Sequence, residues 1–245
     1  MIFDNIIKFI FPSRCIICDK ILPYGDKLEN LYLCDDCKKH FEFIKEPCCK
    51  KCGAMIESND ELYCIRCKEH LHKNFDYGFG LLRYNSYVKN SLHKIKYNGR
   101  KEYIYFYGKC IVKKYHDLIK EINPDYIIPV PIHKNRLRVR NYNQASVLAK
   151  SIEDELKTYD INIPYRDDLI FRIKNTKVLN KLSDSDRSNE LLNAFKTSDL
   201  SNINKVIIVD DIYTTGSTID SIAYVLKKAG VKEVYFIAIA IVDNL

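Results

Sequence analysis

The sequence predicts an α/β chain, a mainly parallel sheet with helices on both faces, preceded by a small cysteine-rich domain. Three observations carry this. From about residue 75 onward, short apolar runs alternate with segments of helical period, as strand–helix–strand units do. The run Val206 to Val209 is β-branched throughout, the composition of a strand buried on both faces. Eight of the ten cysteines fall in four CxxC pairs before residue 68, dividing the chain into 1–72 and 73–245.

A chain of 245 residues has room for one good core and a small appendage. A net charge of +7 suits polyanionic partners without requiring them. The opening MIFDNIIKFIF is apolar but interrupted by Asp4, Asn5 and Lys8, with no small-residue cleavage site. It is too short to span a bilayer, so an amphipathic helix docked on the protein is expected, with no stable membrane insertion. A cytoplasmic location follows as the expectation, which leaves the cysteines reduced and available for metal.

The pairs are Cys15/Cys18, Cys34/Cys37, Cys49/Cys52 and Cys64/Cys67. Each CxxC turn places two thiolates on one side of a knuckle, and two knuckles complete a tetrahedron around Zn2+. Fifteen residues separate the first two pairs and eleven the last two, both suited to ribbons. Sequential pairing is the simplest arrangement, and an interleaved one satisfies the same count. Four thiolates leave no open coordination position, so the zinc is structural, and so short a segment needs such a staple to fold. Cys48 and Cys110 fall outside the pattern, the spacing to Cys52 favouring Cys49 as the ligand.

Tyr77, Phe79 and Leu81 alternate as in a strand, and Tyr87 to Tyr97 has a helical face of Val88, Leu92 and Ile95. Lys94, Lys96, Arg100 and Lys101 lie among tyrosines there, a composition that can hold single-stranded nucleic acid through stacking and phosphate contacts. The apolar run from Ile122 to Val130 is expected as the first parallel strand, with Pro129 and Pro131 stiffening the loop after it. A basic loop follows, carrying His133, Lys134, Arg136, Arg138 and Arg140. Ligands collect at the carboxyl ends of strands in such sheets, so this loop is placed to hold a pyrophosphate. Asn143, Gln144, Val147, Leu148 and Ile152 continue as a helix, Asp168 to Ile173 is a second candidate strand, and the aperiodic stretch 174–187 reads as a mobile cover.

The strand at Val206–Val209 ends in Asp210 and Asp211, followed by Thr214-Thr215-Gly216-Ser217-Thr218 and a helix from Ile219 to Ala229 capped by Gly230. Free N–H groups at a helix start, hydroxyl donors and a glycine that admits close approach make a phosphate cradle. It lacks the lysine of a P-loop. Two acids at the strand end suit sugar hydroxyls or the water of a divalent ion. Phosphate, diol and Mg2+ together describe a phosphorylated ribose. Val234 to Val242 supplies a last strand.

The stretch 206–218 resembles the phosphoribosyl pyrophosphate (PRPP) motif of type I phosphoribosyltransferases. With the four knuckles, Lys96-Tyr97-x-Gly99, Pro129-Val130-Pro131-x-His133-Lys134, Arg140-x-x-Asn143-Gln144, Arg187 and Ala194-Phe195, nearly the whole chain resembles the ComF family of double-zinc-ribbon, phosphoribosyltransferase-like proteins linked to competence and DNA uptake. That family's Arg-Gly-Phe-Asn-Gln stands here as Arg140-Asn141-Tyr142-Asn143-Gln144, its glutamine before Arg187 as Leu179, and its asparagine three after Arg187 as Glu190. The resemblance implies PRPP with Mg2+ as ligand, Asp210 and Asp211 on the ribose hydroxyls, Thr214 to Thr218 on the 5′-phosphate, and Lys96 or Arg140 neutralising developing charge. It implies single-stranded DNA and a helicase-type uptake protein as partners. A catalytically silent PRPP-sensing regulator and a nucleobase phosphoribosyltransferase of salvage are the alternatives, which fold alone does not separate.

Overall fold

The computed structural model describes residues 12–22, 32–69, 73–174 and 194–243. The expected N-terminal helix, and the expected cover apart from Lys174, lie outside the described residues. The elements, in chain order, are α1 (Asp35–Lys38), α2 (Ile65–Glu69), β1 (Tyr77–Arg83), α3 (Ser86–Tyr97), α4 (Glu102–Ile122), β2 (Tyr126–Pro129), α5 (Lys134–Arg140), α6 (Gln144–Leu156), β3 (Ile170–Arg172), β4 (Phe195–Thr197), β5 (Lys205–Tyr213), α7 (Ser217–Lys228) and β6 (Glu233–Ile241).

The main sheet has the order β1-β6-β5-β2, with every pairing parallel. Its centre is β5 and β6, whose β-branched and aromatic runs are covered on both sides. Both outer edges are occupied, which removes the unpaired backbone that invites aggregation. Residues 42–44 run antiparallel to β1, with Ile44 N–H donating to Leu81 O at 3.0 Å. Residues 164–166 run beside β2, with Ile127 N–H donating to Pro164 O at 3.0 Å.

Alternation along the strands divides the core into two apolar layers. One holds Ile207, Val209 and Ile237 against α3, α4 and α6. The other holds Val206, Ile208, Phe236 and Ala238 against α7, β3 and β4. The expected helices on both faces are thus present. Asn85 caps α3 by accepting from the amides of Tyr87 and Val88, and Asn123, in the left-handed region at φ 47, ends α4.

Three expectations are corrected. Ile122 is the last residue of α4, so the strand expected from it begins at Tyr126, and the first parallel strand in the chain is β1. Asp168–Ile173 yields only β3, which pairs antiparallel with β4 in a separate two-stranded sheet. The basic loop after β2 is largely helical, because His133 accepts from Asn135 N–H and caps α5. The long α4 went unforeseen, although Tyr103, Ile104, Tyr107, Ile111, Val112, Ile119 and Ile122 follow a helical stripe and are buried.

The cysteine-rich segment forms two ribbons on opposite faces of the sheet. Cys15, Ile16, Ile17 and Cys37 join the α3/α4 layer, whereas Cys49, Cys52, Ala54 and Cys67 join the α7 layer. Gly53, at φ +72, lies so close to the backbone of Gly78 that a Cβ would collide with it.

A candidate binding site at the end of the central strand

The two acids are neighbours on β5 and project to opposite faces. Asp211 is 7% exposed and is enclosed by residues from α3 and α6. Lys96, at the end of α3, is ion-paired with its Oδ2, and Gln144 Nε2 donates to its Oδ1 at 3.4 Å. Arg140 extends the chain, donating to Gln144 Oε1 at 3.2 Å and to the Tyr97 hydroxyl at 3.2 Å, with its guanidinium over the Tyr97 ring. Asp211, Lys96 and the nearby pair Arg140 and Gln144, from three distant parts of the chain, therefore form one connected polar network.

Burial disfavours charge on both acids, with different outcomes. On Asp211 the Lys96 ammonium prevails over burial and holds the carboxyl below its ordinary range. Asp210 is pushed well above that range by burial and by the Asp211 charge beside it. Its carboxylate accepts from Asp211 N–H at 2.8 Å. Arg172 on β3 lies within electrostatic reach of Asp210 and of Arg136. Sequence reasoning passed over Arg172 because it sits in a short strand with no motif around it.

The β2 and β5 ends lie side by side, Val130 N–H donating to Val209 O at 2.9 Å, so the basic α5 starts next to the acid pair. Asn143 fixes this join, donating from Nδ2 to Val130 O at 3.0 Å while capping α6 through Ala145 N–H. His133 serves as the cap of α5, and Lys134 is exposed. The loop after β5 turns at Gly216, φ +77, directly over Tyr213, whose hydroxyl a Cβ would strike. Thr215 Oγ1 and Ser217 Oγ are 2.8 Å apart, Thr214 and Thr215 are exposed, and Thr218 is half-buried in the first turn of α7. Tyr213 stacks on Phe236 at 4.6 Å between centroids, and Phe75 meets both rings edge-on.

The expected cation patch is otherwise engaged. Lys94 donates to Ile17 O at 2.7 Å, and Arg100 pairs with Asp19 at 2.9 Å, both tying the first ribbon to the sheet domain. Lys96 holds Asp211, and Lys101 lies 4.5 Å from the centroid of the Tyr142 ring. The more open basic surface is α5, where Arg138 is exposed and Val139 is 74% exposed.

The eight ribbon cysteines form two groups, Cys15/Cys18/Cys34/Cys37 and Cys49/Cys52/Cys64/Cys67, whose sulfurs within each group lie within 4.8 Å of one another. This is the sequential pairing, and it excludes the interleaved one. Zn–S bonds of about 2.3 Å in a tetrahedron require sulfur separations of about 3.8 Å. Cys18–Cys34 and Cys52–Cys64, each at 3.7 Å, match it. Cys48 turns away, its thiol donating to Lys45 O at 3.2 Å, and Cys110 is half-buried against the core. Arg187, Leu179 and Glu190 lie outside the described residues.

Comparison with known proteins agrees with this architecture. The double zinc ribbon domain model matches residues 6–68, and the phosphoribosyl transferase domain model matches residues 143–244. Competence protein F of Haemophilus influenzae is 26% identical over 234 residues, covering 91% of this chain and 95% of that protein. The chain thus pairs a double zinc ribbon with a phosphoribosyl transferase domain, and it is similar to this competence protein over nearly its whole length. Competence protein ComFC of Streptococcus pneumoniae is 25% identical over 230 residues, covering 90% of this chain and 96% of that one. Among solved structures, a purine phosphoribosyltransferase from Pyrococcus horikoshii is 21% identical with a TM-score of 0.29, covering 58% of this chain and 74% of that one. Among the described residues, no helix is long and apolar enough to cross a membrane.

Proposed function

We propose that the protein binds PRPP with Mg2+ at the carboxyl end of β5 and binds single-stranded DNA during uptake, in the cytoplasm and beside a helicase-type uptake protein. One observation carries the ligand assignment. A buried, lysine-held Asp211 and a second acid, Asp210, stand immediately before a glycine turn that opens onto the start of α7. Asp210 and Asp211 would receive the ribose hydroxyls, and the amides and hydroxyls of 214–218 the 5′-phosphate. The segment 129–136, with His133 and Lys134, would face the pyrophosphate. Arg140 and Lys96 lie where charge develops if the bond to the sugar breaks.

Asp210 fits a divalent ion by its chemistry, as an oxygen donor whose raised carboxyl a cation would return toward the charged form. Mg2+ there would supply charge neutralisation for pyrophosphate. The DNA assignment draws on the competence proteins that this chain resembles and on α5, where the exposed Arg138 offers a phosphate contact and the exposed Leu137 and Val139 offer apolar contact to bases.

The deciding experiment is PRPP titration by calorimetry with and without Mg2+, repeated with a single-stranded oligonucleotide present. Saturable, Mg2+-dependent binding is expected, with altered affinity when DNA is bound. An absence of PRPP binding in every condition would remove the assignment. Pyrophosphate release screened over purine and pyrimidine bases separates a transferase from a PRPP sensor.

A further inference from the structure

The second ribbon touches the loop after β5 directly. Arg66 on α2, next to the ligand Cys67, donates from Nη1 to the carbonyl of Thr214. Lys73, on the segment leaving the ribbon, donates from Nζ to the carbonyl of Thr215 at 3.2 Å. Asn74 completes this wall, its N–H and Nδ2 both reaching Asp220 Oδ1 in the first turn of α7, the latter at 3.1 Å.

In a trans peptide the C=O and the following N–H point in opposite directions. Two successive carbonyls drawn toward the ribbon therefore turn the amides of Thr215 and Gly216 away from it. Neither amide makes a hydrogen bond among the described residues. The floor under them is closely packed, because Gly216 rests on the Tyr213 ring, which is stacked on Phe236. Donors held outward with no internal partner bind an anion without first breaking a bond.

From this we infer that the second ribbon is one wall of the phosphate site. Arg66 and Lys73 are positioning residues that orient the 214–218 amides toward the 5′-phosphate of a phosphorylated ribose. Zinc loading at Cys49/Cys52/Cys64/Cys67 and occupancy of the loop are then thermodynamically coupled. The inference rests on the sugar-phosphate reading of that loop. The first ribbon lies on the opposite face, and its described side-chain ties run to Lys94, Arg100 and Tyr103 instead.

Ribose 5-phosphate and magnesium pyrophosphate test it separately, since only the first carries the 5′-phosphate. The Arg66→Met/Lys73→Met protein should bind ribose 5-phosphate about tenfold or more weakly, as loss of two charged hydrogen bonds that fix the loop implies. Its affinity for magnesium pyrophosphate and its two zinc ions should be retained. Unchanged ribose 5-phosphate affinity overturns the positioning role alone. Parallel weakening of both ligands overturns it as well, since general damage then accounts for the loss. A parent protein that does not bind ribose 5-phosphate overturns the reading of the loop itself. On the unsubstituted chain, ribose 5-phosphate should slow the loss of one of the two zinc ions to a chelator several-fold, and identical release rates with and without it overturn the coupling.

Discussion

Lys96 and Asp211 form an ion pair at the carboxyl end of the central strand, with side chains only 18% and 9% exposed. Lys96 comes from the helix after β1 and Asp211 from β5, so the pair joins the first and last parts of the sheet domain. A charge pair this far from water is costly to break from one side.

Lys96→Met should therefore destabilise the protein by about 3 kcal/mol at neutral pH, by leaving Asp211 buried and unpaired. The sign with pH follows from the depressed carboxyl of Asp211. Its contribution is present above the unfolded carboxyl value of about 4 and is lost as pH falls through the lower folded value. The variant's deficit should shrink on acidification, because its unpaired Asp211 takes up a proton. Urea unfolding between neutral and mildly acidic pH checks this, and a pH-independent deficit would count against the pair.

Asp210→Asn should have the opposite effect on stability. Burial and the neighbouring charge raise the Asp210 carboxyl, so ionising it in the folded protein costs free energy that an amide does not incur. The folded state is favoured below the unfolded carboxyl value and loses that advantage as pH rises through the folded one. The variant should thus be more stable than its parent near neutrality, with the gain vanishing in acid, while PRPP binding weakens. Thermal unfolding beside PRPP titration measures both, and a less stable variant would contradict the strained-acid account.

Gly216→Ala should lose phosphate affinity and about 1–2 kcal/mol of stability. The position has φ +77, and a Cβ there meets the Tyr213 hydroxyl. An alanine variant with parental PRPP affinity would show that the turn does not approach the ligand.

Metal analysis should return two zinc ions per chain, and Cys37→Ser and Cys67→Ser should each lose one. Because each ribbon contributes buried residues to a different layer of the core, either loss should also lower the unfolding midpoint of the sheet domain. Metal loss without a change in that midpoint would mean that the ribbons are passengers.

Replacing Arg136 and Arg138 with Gln should weaken single-stranded DNA binding and reduce its salt dependence by about two counterions at most. Substituting Lys94 and Arg100 should instead loosen the first ribbon, since they hold Ile17 and Asp19. An unchanged salt slope in the first pair would place the nucleic acid elsewhere.

Much of this was legible from local pattern. Val206 to Val209 had to be a central strand because four β-branched residues in a row have no solvent face to offer. The knuckles had to bind metal because CxxC geometry is local, and Gly216 had to turn because few other residues tolerate its φ. The α4 stripe was equally local, but its tyrosines and lysines obscured the period.

Tertiary packing decided the rest. Lys94, Lys96 and Arg100 look alike in the sequence, yet one holds a ribbon carbonyl, one the buried Asp211 and one the ribbon residue Asp19. Asp210 and Asp211 are identical in chemistry and adjacent in sequence, yet the pleat sends them to opposite faces and only one meets a lysine. The residue order by itself determined which groups this protein carries and the local shapes they adopt, because those depend on backbone sterics and short-range spacing. Which cation meets which carboxylate, and that the second ribbon reaches the loop at 214–218, depended on where the sheet places segments distant in sequence, and no local spacing encodes that.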